Sequence, residues 1–337
     1  MRSSSLVLLL SLFGLSTAVS SGQLLTGPVQ GYIFDAPSRS FRAVLGFPGS
    51  ASVGPPLSQG FDSGAVAPLK NYAIAFQKNR AEFVSGLGTG HVLVSSIAAV
   101  FPKPEGVAWS GDGSAAVIYS RTGNWLQLLT GFPAAASTCA GHSCVPAVVH
   151  SVDVSTMHAT LSSVALDKNG THVALGATGD HSGVYVSANR SPFALVLETS
   201  HPAALSFSDD ASSLYALDES NSTLSSISLP NSSFQSHALT GLADPFALQF
   251  GRDATGRALV YIASRKNRIF RSYDPAGHRT VHDIALSFVP AAIDDLGARS
   301  FLLSPRKKEG DPLWVFSSTP KPAVYFVPVP ADGGKGQ

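Results

Sequence analysis

Cysteine, charge and long apolar runs are all scarce in this sequence. Two cysteines in 337 residues exclude a scaffold built from several disulfides. Charged residues make up 13% and the net charge is +1, so no strong field draws nucleic acid or anionic lipid to the surface. Beyond the N-terminal segment, no apolar run approaches the roughly 20 residues of a membrane helix. The core must therefore be held by burial of the 44% hydrophobic residues.

The N-terminal segment has the layout of a secretory signal. Arg2 supplies a positive start, an apolar run covers 6–15, and small residues follow over 16–22. This pattern predicts a signal peptide over 1–20, cut after Ser20, and no cysteine follows the cut to carry a bacterial lipid anchor. We expect a secreted or periplasmic protein with one domain over 21–330 and a polar tail over 331–337.

A repeated unit is the main feature of the remaining sequence. Each copy begins with a loop, often led by proline, and continues with a short apolar strand, an acidic or glycine turn and a second apolar strand. The clearest copies are 104–113, 164–170, 202–210 and 245–253, with weaker ones near Val66 and Ile293. Copies anchored at 66, 107, 164, 205, 248 and 293 are separated by 41, 57, 41, 43 and 45 residues.

This spacing predicts an all-β propeller, because four-stranded blades repeat at roughly 40–45 residues. The 57-residue step includes a stretch rich in small residues over 134–145, which we interpret as an insertion in one blade. Alternating and β-branched residues predict second strands at 116–119, 172–176, 214–217 and 259–263. Third strands are predicted at 125–129, 183–187 and 268–273.

The segments 31–37 and 41–45 resemble the last two strands of a blade. Terminal strands often complete the blade that closes a propeller ring. Six repeat copies and this N-terminal hairpin leave the blade number open between six and seven.

The repeats resemble those of bacterial exported propellers of the NHL, YVTN and TolB-like type. The resemblance rests on the Pro-x-x-Val-Ala starts and on the Phe-Ser-Asp-Asp-x-x-x-Leu-Tyr run at 207–215, and it covers nearly the whole mature chain. It implies the architecture and no single activity, because this fold carries unrelated functions.

The loops that precede the first strands converge on the central channel of a propeller. They carry a candidate ligand or metal site: Asp62, Lys103, Glu105, His201 and Asp244. Carboxylates from several segments suit Ca²⁺, and propellers that resemble the lactone-hydrolysing family use an acidic channel metal of this kind. The alternative is that these residues are solvated loop positions.

The two cysteines lie close together, at Cys139 and Cys144. In an oxidising compartment they predict a small disulfide loop that pins the insertion. Together with His142 they also offer three soft ligands for zinc or copper, although no fourth ligand is evident nearby.

Other motifs favour structure over catalysis. The acidic turns at Asp112, 209–210 and Asp253 recur at one repeat position, so we interpret them as turn-stabilising. The run 179–183 places Asp, His and Ser side by side, but adjacent residues of one turn cannot adopt triad geometry. No Gly-x-Ser-x-Gly, His-Glu-x-x-His or phosphate-cradling loop is present. The basic runs 265–268 and 306–308 occupy corresponding turns of the last two blades.

Three hypotheses follow. The first is a monomeric binding scaffold for a protein, glycan or small molecule, without nucleic-acid binding or certain cofactor. The second is a channel-metal hydrolase or isomerase of the lactonase-like kind, with Ca²⁺ as the candidate ion. The third is a structural component of the cell envelope.

Overall fold

A computed structural model describes residues 27–133, 145–297 and 299–329. Their 27 strands form seven antiparallel sheets, each made of strands consecutive in the chain, so the fold is a seven-bladed β-propeller. The first blade has three strands and the other six have four. The predicted all-β propeller is confirmed, with seven blades rather than six.

The strands, blade by blade, have the following bounds. Blade 1 has β1 (Val29–Asp35), β2 (Ser40–Leu45) and β3 (Ser52–Gln59); blade 2 has β4 (Ser63–Val66), β5 (Tyr72–Gln77), β6 (Arg80–Ser85) and β7 (Leu93–Ser96). Blade 3 has β8 (Gly106–Trp109), β9 (Ala116–Ser120), β10 (Trp125–Thr130) and β11 (Ala147–Asp153); blade 4 has β12 (Ala159–Leu166), β13 (His172–Gly179), β14 (Gly183–Ala188) and β15 (Ala194–Glu198). Blade 5 has β16 (Pro202–Phe207), β17 (Ser213–Asp218), β18 (Thr223–Ser228) and β19 (Ser233–Ala238); blade 6 has β20 (Pro245–Arg252), β21 (Ala258–Ser264), β22 (Ile269–Asp274) and β23 (Arg279–Ala285). Blade 7 has β24 (Asp294–Gly297), β25 (Ser300–Ser304), β26 (Leu313–Ser317) and β27 (Ala323–Val327), and a 3₁₀ turn (Val154–Met157) links blades 3 and 4.

The repeat copies read from the sequence are the inner strands of blades 2 to 7. Five of the six anchors lie within β4, β8, β12, β16 and β20, and Ile293 directly precedes β24. The predicted second and third strands coincide with β9, β13, β17, β21, β10, β14 and β22 to within a few residues. The long repeat is explained by the connection from Thr130 to Ala147 in blade 3.

The N-terminal hairpin closes the ring as a blade of its own, not as strands added to the last blade. Its inner strand β1 lies between β24 and β4. Gly31, near the start of β1, packs against Leu296 near the end of β24, and Arg39, just past β1, donates to the carbonyl of Phe61 before β4 (2.9 Å). Strand β1 therefore runs opposite to the inner strands beside it.

The core consists of seven apolar clusters, one between each pair of neighbouring blades. In the cluster between blades 6 and 7, for example, Tyr261 stacks on Phe270 and Phe316 packs at a tilt against both, all three fully buried. Inner and middle strands are apolar on both faces because each face packs on a different blade.

The acidic turns stabilise themselves at Asp112 and Asp210, as predicted, whereas Asp209 pairs with Arg252 of blade 6 instead (2.7 Å). Asp112 accepts from the backbone N–H of Ser114 (2.8 Å), and Asp210 from that of Ser212 (3.1 Å). Hydrogen bonds from Ser208 and Ser212 lower the pKa of Asp210 to about 2. The hydroxyl of Ser182 likewise donates to the carbonyl oxygen of Gly179 (2.7 Å) within the β13–β14 turn.

Four predictions lie outside the described residues: the signal peptide over 1–20, the Cys139–Cys144 disulfide, the alternative zinc or copper site that adds His142, and the tail over 331–337. In the part of the chain that the structure does describe, no helix is long and apolar enough to cross a membrane.

Candidate functional site

A channel runs through the centre of the disc, and the inner strands of all seven blades line it. Its volume is about 1060 Å³, and its wall is largely apolar, with Phe34, Val107 and Val164 among the lining residues. We call the end that carries the loops preceding β4, β8, β12, β16, β20 and β24 the loop face. The other end carries the turns that follow these strands.

At the loop face the channel opens into a second cavity of about 560 Å³, which we call the mouth. Blades 3 to 7 contribute its lining. Its ionisable residues are Arg121, His201, Glu219, Arg265 and Asp294. Such a concave site with a few convergent polar groups is the usual form of a small-molecule site.

Buried Asp218, the last residue of β17, positions two of these residues. It accepts from the backbone N–H of His201 (3.3 Å) and of Asn221 (3.0 Å), which ties the loop before β16 to the β17–β18 turn that carries Glu219. Burial alone would raise the pKa of Asp218, but hydrogen bonds from Ser220 and Thr199 outweigh it and lower the pKa to about 2. This carboxylate therefore stays ionised and holds the mouth in shape.

Two carboxyl groups of the mouth region face one guanidinium. Nη1 of Arg265 lies 3.6 Å from Oε1 of Glu219 and 3.8 Å from Oδ1 of Asp244. The same guanidinium stacks over Phe246, 3.8 Å from the ring centroid, which restricts its movement. A hydrogen bond with Asp244, followed by burial and the charge of Asp244, raises the pKa of Glu219. Glu219 therefore binds a proton more readily than an exposed glutamate does.

Asp294 stands where the channel meets the mouth. Its side chain is exposed to the lumen, although protein surrounds the lumen on every side. Burial in this wall, followed by the negative charge of Asp295, raises the pKa of Asp294 from 3.8 to about 6. Asp295 is engaged elsewhere, since it accepts from the backbone N–H of Gly297 (2.7 Å).

Replacing Asp294 by asparagine is expected to stabilise the protein at neutral pH. Because its pKa is about 6 in the folded chain and 3.8 as its ordinary value, the folded state loses stability as pH rises through this window. Channel water screens part of the charge and so reduces this loss of stability. We therefore expect the unfolding free energy of D294N to exceed that of wild type by about 1 kcal/mol at pH 7.5 and to match it at pH 3.5.

Urea denaturation at the two pH values measures this difference. Asp180→Asn, an exposed residue of the β13–β14 turn, controls for the change in net charge. A D294N variant that is less stable than wild type at pH 7.5 would contradict the raised pKa of this carboxyl group.

The residues predicted from the sequence do not all meet at the mouth. His201 lines the mouth. Asp244 lies beside the mouth, because its carboxylate faces Arg265, which lines it. Asp62 instead lines the channel, where it forms an ion pair with Arg39 and accepts from the backbone N–H of Lys78 (2.8 Å), and Lys103 is an exposed loop residue. Within residues 27–133, 145–297 and 299–329, no group of three His, Cys, Asp or Glu residues is placed to hold a metal ion.

Glu105 caps a turn of its own blade. Its carboxylate accepts from the hydroxyl of Ser120 (2.9 Å) and from the backbone N–H groups of Arg121 (3.1 Å) and Thr122 (3.0 Å). Burial would raise its pKa, but hydrogen bonds from Thr122 and Ser120 and from this backbone lower it. Glu105 thereby fixes the turn that carries Arg121.

Sequence reasoning missed Arg121, Glu219, Arg265 and Asp294. The first three share a repeat position, because each is the first residue after the second strand of its blade (β9, β17 and β21). A search for charged residues at that position would have found them. The first arginine of each basic run has a partner of its own: the half-exposed Arg265 stacks over Phe246, and the buried Arg306 pairs with Asp35.

Fold and site together define a seven-bladed propeller with a charged pocket at one channel mouth. No protein-family model matches the chain, and no curated protein matches it in sequence.

Solved structures do match, all at low identity. Dihydro-heme d1 dehydrogenase NirN has a TM-score of 0.57 at 12% identity, covering 95% of this chain and 67% of that one. The β-propeller domain of Cps50 (Swd1) from Myceliophteria thermophila has a TM-score of 0.57 at 12% identity, with 80% and 86% covered. A chain of a nidogen/laminin complex has a TM-score of 0.50 at 13% identity, with 76% and 93% covered. These likenesses show the propeller fold, which carries enzymes and binding proteins alike.

Proposed function

We propose that the protein is an exported binding propeller that holds a small polar ligand at the mouth of its channel. The observation that carries this proposal is the mouth itself. Its side chains come from five blades of a closed ring, so the site is preorganised and little ordering is needed on binding. The N-terminal sequence over 1–22 supports export.

The contacts of the predicted metal ligands favour an organic ligand over a channel metal. The carboxylates of Asp62 and Glu105 already accept from turn N–H groups, and that of Asp244 faces Arg265. A cation such as Ca²⁺ requires several oxygen ligands at 2.3–2.6 Å, and bringing these groups together would break their present contacts. The mouth instead offers donors and acceptors spread around a cavity, which suits a molecule with several polar groups.

Ligand-induced stabilisation tests the proposal on the mature chain, residues 21–337. A panel of amino acids, monosaccharides, nucleosides, dicarboxylates and lactones is screened by melting temperature, with Ca²⁺ as a separate arm. A ligand at a hundredfold its Kd adds about 2.7 kcal/mol to the folded state. We expect at least one organic class to raise the melting temperature, and the shift to be lost in His201→Ala and Glu219→Gln.

Lys321→Gln, in the exposed β26–β27 turn away from the mouth, should leave the shift intact. Stabilisation by Ca²⁺ alone would contradict the organic-ligand proposal, as would a shift that survives both mouth variants. Turnover of a lactone or sugar ester that disappears in Glu219→Gln would replace it with a hydrolase, because the Glu219–Asp244 pair would then act in proton transfer.

A further inference from the structure

The boundary between channel and mouth is a neck formed by four residues. Arg121, Ala203, Ile293 and Asp294 line both cavities. The two charged members come from blades 3 and 7, which are separated by two blades on one side of the ring and three on the other. The neck therefore presents one cation and one carboxylate from different sides of the channel.

Arg121 is held in place without an ion pair. Its backbone N–H donates to Glu105 (3.1 Å), and its guanidinium lies 5.6 Å from the centroid of Tyr119. Tyr119 packs directly on Gly106, where any Cβ would lie 2.4 Å from the ring, so the ring under the guanidinium is fixed. Among the residues that the structure describes, no carboxylate lies within ion-pair distance of the Arg121 guanidinium.

Asp294 lacks partners in the same way. Of the described side chains and backbone groups, none donates a hydrogen bond to its carboxylate, and none forms an ion pair with it. The hydroxyl of Tyr119 is close enough for its pKa to respond to both charges: burial raises that pKa most, Arg121 lowers it and Asp294 raises it. Both charged groups thus line the same neck, and among the described residues they form no ion pair with each other.

We propose that the neck binds the zwitterionic end of a small molecule, as in a free α-amino acid. The carboxylate of the ligand would accept from the Arg121 guanidinium, and its ammonium group would donate to Asp294. A dianion would face repulsion from Asp294 and a polyamine would face repulsion from Arg121, so the pair selects by charge arrangement as well as by attraction. The ligand side chain would extend into the mouth towards His201 and Glu219.

This inference rests on the proposed function, because it assigns the ligand class of the same site. Isothermal titration of the mature chain compares glycine, serine, glutamate, arginine and phenylalanine with their N-acetyl and amide forms. We expect at least one free amino acid to bind, and blocking either charged group to weaken binding at least tenfold.

Two variants separate the roles of the charges. In Asp294→Asn the preference for the free amino acid over its N-acetyl form should disappear, whereas the preference over the amide form should remain. In Arg121→Gln the preference over the amide form should disappear, whereas the preference over the N-acetyl form should remain. Lys321→Gln should change neither, and melting temperatures confirm that each variant is folded.

The outcomes distinguish the two proposals. If the doubly blocked N-acetyl amino acid amide binds as well as the free form, the zwitterion inference fails and the binding function stands. Tighter binding of a dicarboxylate or a polyamine would overturn the inference in the same way. If no compound of the wider panel binds at all, both proposals fail.

Discussion

Replacement of Asp35 by alanine is expected to cost about 3–5 kcal/mol of folding free energy, the usual range when one partner of a buried ion pair is removed. Asp35 is 1% exposed, and its Oδ2 lies 3.1 Å from Nε of Arg42 in an ion pair and accepts from Nη1 of Arg306 (3.1 Å). Arg306 is itself 6% exposed and belongs to blade 7, so this carboxylate joins the first blade to the last. Without it, Arg306 stays buried with no carboxylate beside it.

Urea denaturation of Asp35→Ala at pH 7 measures the cost. Arg306→Met is the matched comparison, because it removes one cation, keeps an apolar stem and leaves the Asp35–Arg42 pair in place. We expect the methionine variant to lose less than half as much as the alanine variant. A cost below 1 kcal/mol for Asp35→Ala would show that the contact does not secure ring closure.

Replacement of Gly31 by alanine is expected to destabilise the protein by about 3 kcal/mol, at the upper end of overpacking effects. A Cβ on Gly31 would lie 2.4 Å from the carbonyl oxygen of Leu296, and 3.2 Å from its carbonyl carbon and Cβ. These atoms belong largely to the backbone of β24, so no side-chain rotation relieves the overlap. The two inner strands that close the ring would have to separate.

Gly111→Ala is the control for this prediction. Gly111 lacks a positive φ, and its nearest neighbour beyond the adjacent chain is Lys168 at 3.8 Å, so a methyl group fits there. We expect its unfolding free energy to stay close to that of wild type. Equal stability of Gly31→Ala and Gly111→Ala would contradict the close approach of β1 and β24.

Most of the fold was predictable because its determinants are local. The inner strands follow short loops often led by proline and end in acidic or glycine turns, and a turn such as that of Asp210 is stabilised by side chains two residues away. Six of the seven blades therefore appeared as repeats. The N-terminal blade did not, because it has three strands and its inner strand runs in the opposite direction.

The site was only partly predictable. His201 and Asp244 were selected because they precede inner strands; His201 lines the mouth, and Asp244 faces Arg265, which also lines it. The same reasoning selected Asp62 and Glu105, whose carboxylates are engaged by turns. Whether a loop carboxylate stays open to a ligand or bonds to another turn of its blade depends on side-chain direction, which periodicity does not encode.

The sequence by itself determined the all-β class, the blade repeat and the low-charge surface. Alternation and turn chemistry act within one blade, and the charge of the surface follows from the composition of the whole chain. The tertiary structure alone decided the number of blades and the placement of Arg121 and Asp294 at one neck. These two residues are 173 positions apart in the chain and share a neck only after the ring has closed. Closure in turn depends on contacts that Asp35 and Gly31 make with the last blade, so no local pattern records it.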